Sequence, residues 1–91
     1  MKNIIELNYQ TTVDRGLITP NTTKQEFFNK IKEEVFELEV YELQNHKIDP
    51  LELADIILVC LNIAKHYNID IEQELMNKIK INEQRTTKEN K

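Results

Sequence analysis

The sequence predicts an all-α protein, an antiparallel bundle of about four helices that is completed by homo-oligomerisation. Glycine occurs once and proline twice in 91 residues, too few for the tight turns that an all-β domain requires. Apolar residues recur instead at helical spacing between helix start and stop signals. Area scaling predicts that a folded monomer of 10.8 kDa exposes roughly 5,500 Å², so that about 65% of the surface of the extended chain is buried. Because that burial is marginal for a monomer, we expect a partner subunit.

The composition excludes several classes of protein. Twelve Lys and Arg against 16 Asp and Glu leave a net charge of -4, the wrong sign for holding a nucleic acid polymer by its phosphates. No uncharged apolar stretch is long enough to span a bilayer, which predicts no membrane partner. A single cysteine and the lack of a cationic, then apolar, leader predict a cytoplasmic protein.

The first 22 residues are predicted to form an N-terminal helix and a loop. The apolar content of this helix is modest, and Gly16 is placed to end it in a left-handed conformation. The loop ends at Thr23, which forms a predicted capping box with Glu26. Residues 1–22 carry no motif that indicates a function.

The second helix is predicted from about Lys24 to about Asn45, and it begins the helical core of residues 23–85. One apolar face is predicted to consist of Phe27, Ile31, Val35, Leu38 and Tyr41. We interpret the aromatic residues Phe27, Phe28 and Tyr41 as core packing. Glu34 falls inside that face, where an unpaired carboxylate would be costly.

The third helix is predicted from the Asp49 cap and Pro50 to about Tyr67. Its apolar residues cover well over half of its circumference, more than one packing partner could bury, so we expect a central helix shared with a second subunit. Cys60 lies on the apolar arc and is predicted to be buried. His66, near the helix C-terminus, is interpreted as a residue outside any site.

The fourth helix is predicted from about Ile71 to Arg85, after a cap formed by Asp70 and Gln73. Residues 86–91 are polar and are predicted to be a frayed tail.

Two carboxylate pairs mark the facing helices, Glu34 with Glu37 and Glu52 with Asp55. Each pair has i, i+3 spacing, so both acids of a pair point to one side of their helix. Four converging acids require a cation between them, because repulsion and desolvation oppose their ionisation. An all-oxygen donor set favours Mg²⁺, or Mn²⁺, over zinc. The alternative is that these acids are solvated surface charge.

The string Glu33-Glu34-x-x-Glu37, followed after 14 residues by Glu52-x-x-Asp55, resembles the E-E-x-x-E and E-x-x-D signature of the MazG-like all-α nucleoside triphosphate pyrophosphohydrolases. Lys78-x-x-x-Asn82-x-x-Arg85 is similar to that family's K-x-x-x-N-x-x-R element. The resemblance covers about residues 23–85, with the helices in the family's order.

The resemblance implies hydrolysis of a (deoxy)nucleoside triphosphate to the monophosphate and pyrophosphate, as a house-cleaning activity on the nucleotide pool. The implied Mg²⁺ ligands are Glu34, Glu37, Glu52 and Asp55. The candidate catalytic residues are Glu33 and Glu37, with Glu33 orienting or deprotonating the attacking water. The implied substrate-binding residues are Lys78, Asn82 and Arg85. Asn62 is a further candidate, because it follows Asp55 on the polar stripe of the third helix and would there face the nucleoside.

The enzyme interpretation also implies a homodimer or a dimer of dimers, with a pocket formed by two subunits. The alternative function is that of a non-catalytic helical dimer, which acts as a nucleotide or metal sensor or as a protein-binding module. In the latter case the acidic face would engage a basic partner.

Overall fold

The computed structural model describes the backbone of residues 1–89 and the side chains of residues 1–85. Four α-helices account for the regular structure of the described chain, which contains no strand: α1 (Lys2–Asp14), α2 (Lys24–Asn45), α3 (Pro50–His66) and α4 (Ile71–Glu89). The prediction of an all-α protein is therefore confirmed. Helix α4 extends four residues beyond the predicted end at Arg85. The last two residues of the predicted tail, 90 and 91, lie outside the described residues.

The helix boundaries follow from the predicted caps. At the start of α2, Thr23 Oγ1 accepts a hydrogen bond from the Glu26 backbone N–H at 3.2 Å, and Glu26 Oε2 accepts from the Thr23 N–H at 2.7 Å. This reciprocal pair is a complete capping box. At the start of α3, Asp49 Oδ1 accepts from the Leu51 N–H at 3.4 Å. Both predicted helix starts are confirmed.

The connections between helices use left-handed backbone positions. Gly16 has a φ of 75° after α1, as predicted, and Asn68 has a φ of 55° after α3. His46 also has a φ of 55° and ends α2 in a left-handed cap. Among the residues described, none of the helices is both long and apolar enough to cross a membrane.

Helix α3 is the element on which the others assemble. Both α1 and α2 pack against α3, whereas α4 packs extensively along no other described helix. The buried apolar core consists of Ile18, Phe27, Leu61 and Ala64. These residues come from the loop after α1, from α2 and from α3, so the core lies where three segments meet.

An aromatic cluster extends this core. The His66 ring lies 5.0 Å from the ring centroid of Phe27 and 5.0 Å from that of Tyr67. The Tyr9 hydroxyl forms a 2.8 Å hydrogen bond with His66 Nδ1, which ties α1 to the end of α3. His66 is thus part of the packing between helices.

The outer face of α3 is apolar and exposed. Leu53 is 44% exposed and Ile57 is 53% exposed. Cys60 lies on the same face and is exposed, so the prediction that it is buried is wrong for the single chain. The periodicity of a helix that is apolar around most of its surface does not reveal which arc its neighbours cover. Here α1 and α2 cover the opposite arc.

Candidate metal centre

Three carboxylates from two helices converge on one point. Glu34 and Glu37 of α2 and Glu52 of α3 each offer an oxygen atom, and these atoms all lie within 4.8 Å of one another. The i, i+3 spacing directs the first two side chains to the same side of α2. The packing of α3 against α2 brings Glu52 to them. The cluster therefore consists of hard oxygen donors that are held by two packed helices.

Glu34 is the buried member of this cluster, with 6% of its surface exposed. Its Oε1 accepts from Lys30 Nζ at 3.1 Å, but its Oε2 is buried and has no hydrogen-bond partner. Glu52 Oε2 is also buried and has no partner. An unsatisfied buried acceptor such as that of Glu34 costs about 1–3 kcal/mol. Two unpartnered carboxylate oxygens in one cluster fit the donor set of a divalent cation.

The pKa values in the cluster reflect excess negative charge. The pKa of Glu37 is raised, first by the charge of Glu34 and then by desolvation. The pKa of Glu52 is raised chiefly by desolvation, and next by the charge of Asp55. Burial acts to lower the pKa of Lys30, but its hydrogen bond to Glu34 and the nearby negative charge outweigh burial, so this pKa is raised. One lysine thus compensates several carboxylates, and a bound cation would relieve the remaining repulsion.

A cavity of about 590 Å³ adjoins this cluster, between α1, the loop after it, α2 and α3. Four of the predicted site residues line it: Glu33, Glu34, Asp55 and Asn62. Asp55 is exposed and lies on the cavity wall, one turn after Glu52, outside the group of three converging oxygens. Two of the four predicted metal-binding acids, Glu34 and Asp55, therefore border a space large enough for a small-molecule ligand, whereas Glu37 and Glu52 do not line it.

Glu33 and Asn62 occupy different environments on this wall. The Glu33 side chain is 56% exposed and its Oε2 lies 3.6 Å from Lys30 Nζ. Asn62 is 6% exposed. It accepts from Asn8 Nδ2 at 2.8 Å and donates to Thr12 Oγ1 at 3.2 Å. The Asn62 amide thus fixes α1 against α3 at the edge of the cavity.

The predicted phosphate-binding residues of α4 are not brought to this cavity within one chain. Lys78, Asn82 and Arg85 are exposed, and none of them lines it. Helix α4 is connected to the N-terminus by an ion pair between the Met1 amino group and Glu72 at 3.2 Å.

Sequence reasoning missed two parts of the site. The ion pair between Lys30 and Glu34 could have been predicted, because Lys30 lies four residues before Glu34, a spacing that favours ion pairs on a helix. The wall contributed by the N-terminal segment had no local signal, since it depends on contacts between residues about fifty positions apart. The N-terminal segment, residues 1–22, contributes six residues to the cavity lining: Asn8, Thr12, Arg15, Leu17, Ile18 and Thr22.

Comparisons with protein-family models, with curated proteins and with solved structures find no significant match to this chain.

Proposed function

We propose that this chain is a Mg²⁺-dependent nucleoside triphosphate pyrophosphohydrolase of the MazG-like type, which cleaves between the α and β phosphates of a (deoxy)nucleoside triphosphate. The observation that carries the proposal is the convergence of Glu34, Glu37 and Glu52 beside a cavity that Glu34 and Asp55 line. The spacing of these acids along the sequence supports it, as does their resemblance to the family signature. A house-cleaning role on the nucleotide pool follows from the same resemblance, and the single cysteine supports a cytoplasmic location.

Glu34, Glu37, Glu52 and Asp55 would hold the Mg²⁺, or Mn²⁺ in its place. The fit rests on the unpartnered oxygens of Glu34 and Glu52 and on an all-carboxylate donor set. When bound, the ion neutralises phosphate oxygens and lowers the pKa of a water molecule.

The remaining chemistry belongs to groups on the cavity wall. Glu33 would orient the attacking water and accept its proton, and Lys30 at 3.6 Å would offset the charge of Glu33. Asn62 would line the nucleoside end of the cavity. A volume of about 590 Å³ lies in the range of small-molecule sites, about 300–1,000 Å³.

The proposal includes an antiparallel bundle that is completed by a homodimer or a dimer of dimers. The single chain exposes 7264 Å², about a third more than the roughly 5,500 Å² expected of a compact monomer of this mass. The exposed apolar face with Leu53 and Ile57 supplies a surface for the second subunit. In such an assembly α4 would carry Lys78, Asn82 and Arg85 of the partner subunit to the phosphates.

Pyrophosphate release tests the proposed reaction. The protein is incubated with each common NTP and dNTP and Mg²⁺, alongside Glu37→Gln and Asp55→Asn. We expect turnover by the wild type and its loss in both variants. Glu39→Gln is the matched control, because Glu39 is exposed on the same helix and outside the cluster. No pyrophosphate with any nucleotide, together with no thermal shift by Mg²⁺, would overturn the enzyme proposal.

A non-catalytic metal or nucleotide sensor is the second candidate. It is favoured by the position of Lys78 and Arg85, which lie outside the cavity within one chain. Stabilisation by Mg²⁺ and nucleotide without turnover would support this candidate.

A further inference from the structure

The N-terminal segment, residues 1–22, carries a cation to the cavity wall that the family signature does not contain. Arg15 lines the same cavity as Glu33, Glu34 and Asp55. We propose that Arg15 is a phosphate-binding residue, which holds the phosphate chain of a nucleoside polyphosphate in this cavity. This inference rests on the proposed function for the identity of the ligand.

The charge distribution on the cavity wall assigns this role to Arg15. Lys30, the other cation on the wall, is committed to Glu34 at 3.1 Å and to Glu33 at 3.6 Å. Within residues 1–85, whose side chains the structure describes, the Arg15 guanidinium pairs with no carboxylate. Of the two cations on the cavity wall, Lys30 is therefore neutralised by carboxylates, whereas the donors of Arg15 are available to a ligand.

The backbone fixes Arg15 from both sides. Its N–H donates to Thr11 O at 3.1 Å as the C-cap of α1. The chain then turns through Gly16, and Ile18, three residues after Arg15, is buried to 5% exposure. Because α1 is also held by the hydrogen bond from Asn8 to Asn62, the position from which Arg15 reaches the cavity is set by packing.

The chemistry of the guanidinium fits a phosphate chain. Arginine presents five donors in a planar fork, remains charged at all working pH values, and binds phosphate through two parallel hydrogen bonds. The carboxylates on the wall would repel a polyphosphate unless a divalent ion lay between them. The ligand is therefore expected as its Mg²⁺ complex, with the metal at the acidic cluster and a phosphate at Arg15.

Binding of inorganic tripolyphosphate with Mg²⁺, measured by isothermal titration calorimetry, tests the role of Arg15 without requiring turnover. We expect Arg15→Gln to weaken binding by about ten- to a hundredfold, the effect of losing a charge-assisted pair. Arg15→Lys should retain part of the affinity, since it keeps the charge but loses the fork. Lys32→Gln is the matched control: it removes one positive charge from an exposed position outside the cavity and should bind as the wild type does.

The outcomes separate this inference from the proposed reaction. If the wild type binds tripolyphosphate through Arg15 but releases no pyrophosphate from nucleotides, the reaction fails and the role of Arg15 stands. If the wild type turns over nucleotides and Arg15→Gln leaves both KM and tripolyphosphate affinity unchanged, the reaction stands and this inference is overturned. Equal weakening by Arg15→Gln and Lys32→Gln also overturns it, because the effect is then one of net charge. No binding by the wild type overturns it as well.

Thermal unfolding without ligand tests whether Arg15→Gln folds as stably as the wild type. The Arg15 side chain is exposed and forms no ion pair with the described side chains, so Arg15→Gln should unfold at the wild-type temperature.

Discussion

Replacement of Glu34 by glutamine separates a metal ligand from a structural residue. Glutamine has nearly the same shape, so the packing of α2 against α3 is preserved, but it removes one negative charge from the cluster. In the absence of metal the variant loses the ion pair with Lys30 at 3.1 Å. It also replaces the buried Oε2, which has no partner, with an amide that can donate to Glu37 or Glu52.

These two effects oppose each other and are of similar size. The Lys30 side chain is 44% exposed, and an ion pair in such a position contributes up to about 1 kcal/mol. Relief of the unsatisfied Glu34 oxygen returns about 1–3 kcal/mol. We therefore expect the free energy of unfolding of metal-free Glu34→Gln to be unchanged or higher than that of the wild type.

In the presence of Mg²⁺, by contrast, Glu34→Gln should be less stable than the wild type. At a concentration of 100 Kd, a ligand that binds only the folded state adds about 2.7 kcal/mol. For a domain of this size that corresponds to an increase in Tm of about 10–20 °C. Glu34→Gln should lose most of this increase, while Glu39→Gln retains it.

Thermal denaturation followed by circular dichroism, with and without Mg²⁺, measures the stability of the wild type and of both variants in each condition. Equal loss of stability by Glu34→Gln in both conditions would refute this reasoning and identify Glu34 as a structural residue.

Four further predictions concern the acidic cluster, the cavity wall and the exposed apolar face of α3. Because the folded state raises the pKa values of Glu37 and Glu52 above the ordinary 4.5, the unfolded chain ionises first, and the metal-free protein should lose stability as pH rises from 4.5 through the raised values. Mg²⁺ stabilisation, measured as a shift in Tm at each pH, should conversely fall as pH drops through the same range, and a pH-independent shift would contradict a carboxylate site. Asn62→Ala removes two hydrogen bonds from a buried position and should cost about 1–3 kcal/mol in urea denaturation; an unchanged midpoint would show that this contact does not hold α1. Ile57→Lys places a charge on the exposed apolar face and should convert an oligomer into a 10.8 kDa monomer by light scattering, whereas a folded wild-type monomer at micromolar concentration would remove the case for a partner subunit.

Local signals predicted the elements of this fold well. The hydroxyl of Thr23 and the carboxylate of Glu26 satisfy each other's backbone donors within four residues, so the start of α2 could be read directly. The same holds for Glu34, whose position between apolar residues of one helix face predicted a buried carboxylate, which the structure confirms.

Long-range contacts could not be read in this way. Cys60 was misplaced because the burial of an apolar arc depends on where the neighbouring helices lie. The contribution of Asn8 to the cavity depends on a hydrogen bond to Asn62, 54 residues away, and neither residue carries a local pattern that names the other. Glu52 and Asp55 have the same i, i+3 spacing as Glu34 and Glu37, but only Glu52 joins the group of converging oxygens. The spacing along one helix does not determine which of its side chains extends toward the neighbouring helix.

The hydrogen bond between Asn8 and Asn62 also has a consequence for the order in which the molecule assembles. Helices α2 and α3 are joined by only four residues, so their contact closes a short loop and is expected early in folding. The docking of α1 must close a loop of 54 residues and carries a larger entropic cost. The acidic cluster can therefore form before the cavity that adjoins it. We expect amide hydrogens of α1 to exchange faster than those of α3, and a ligand that occupies the cavity to slow them by holding the last segment in place.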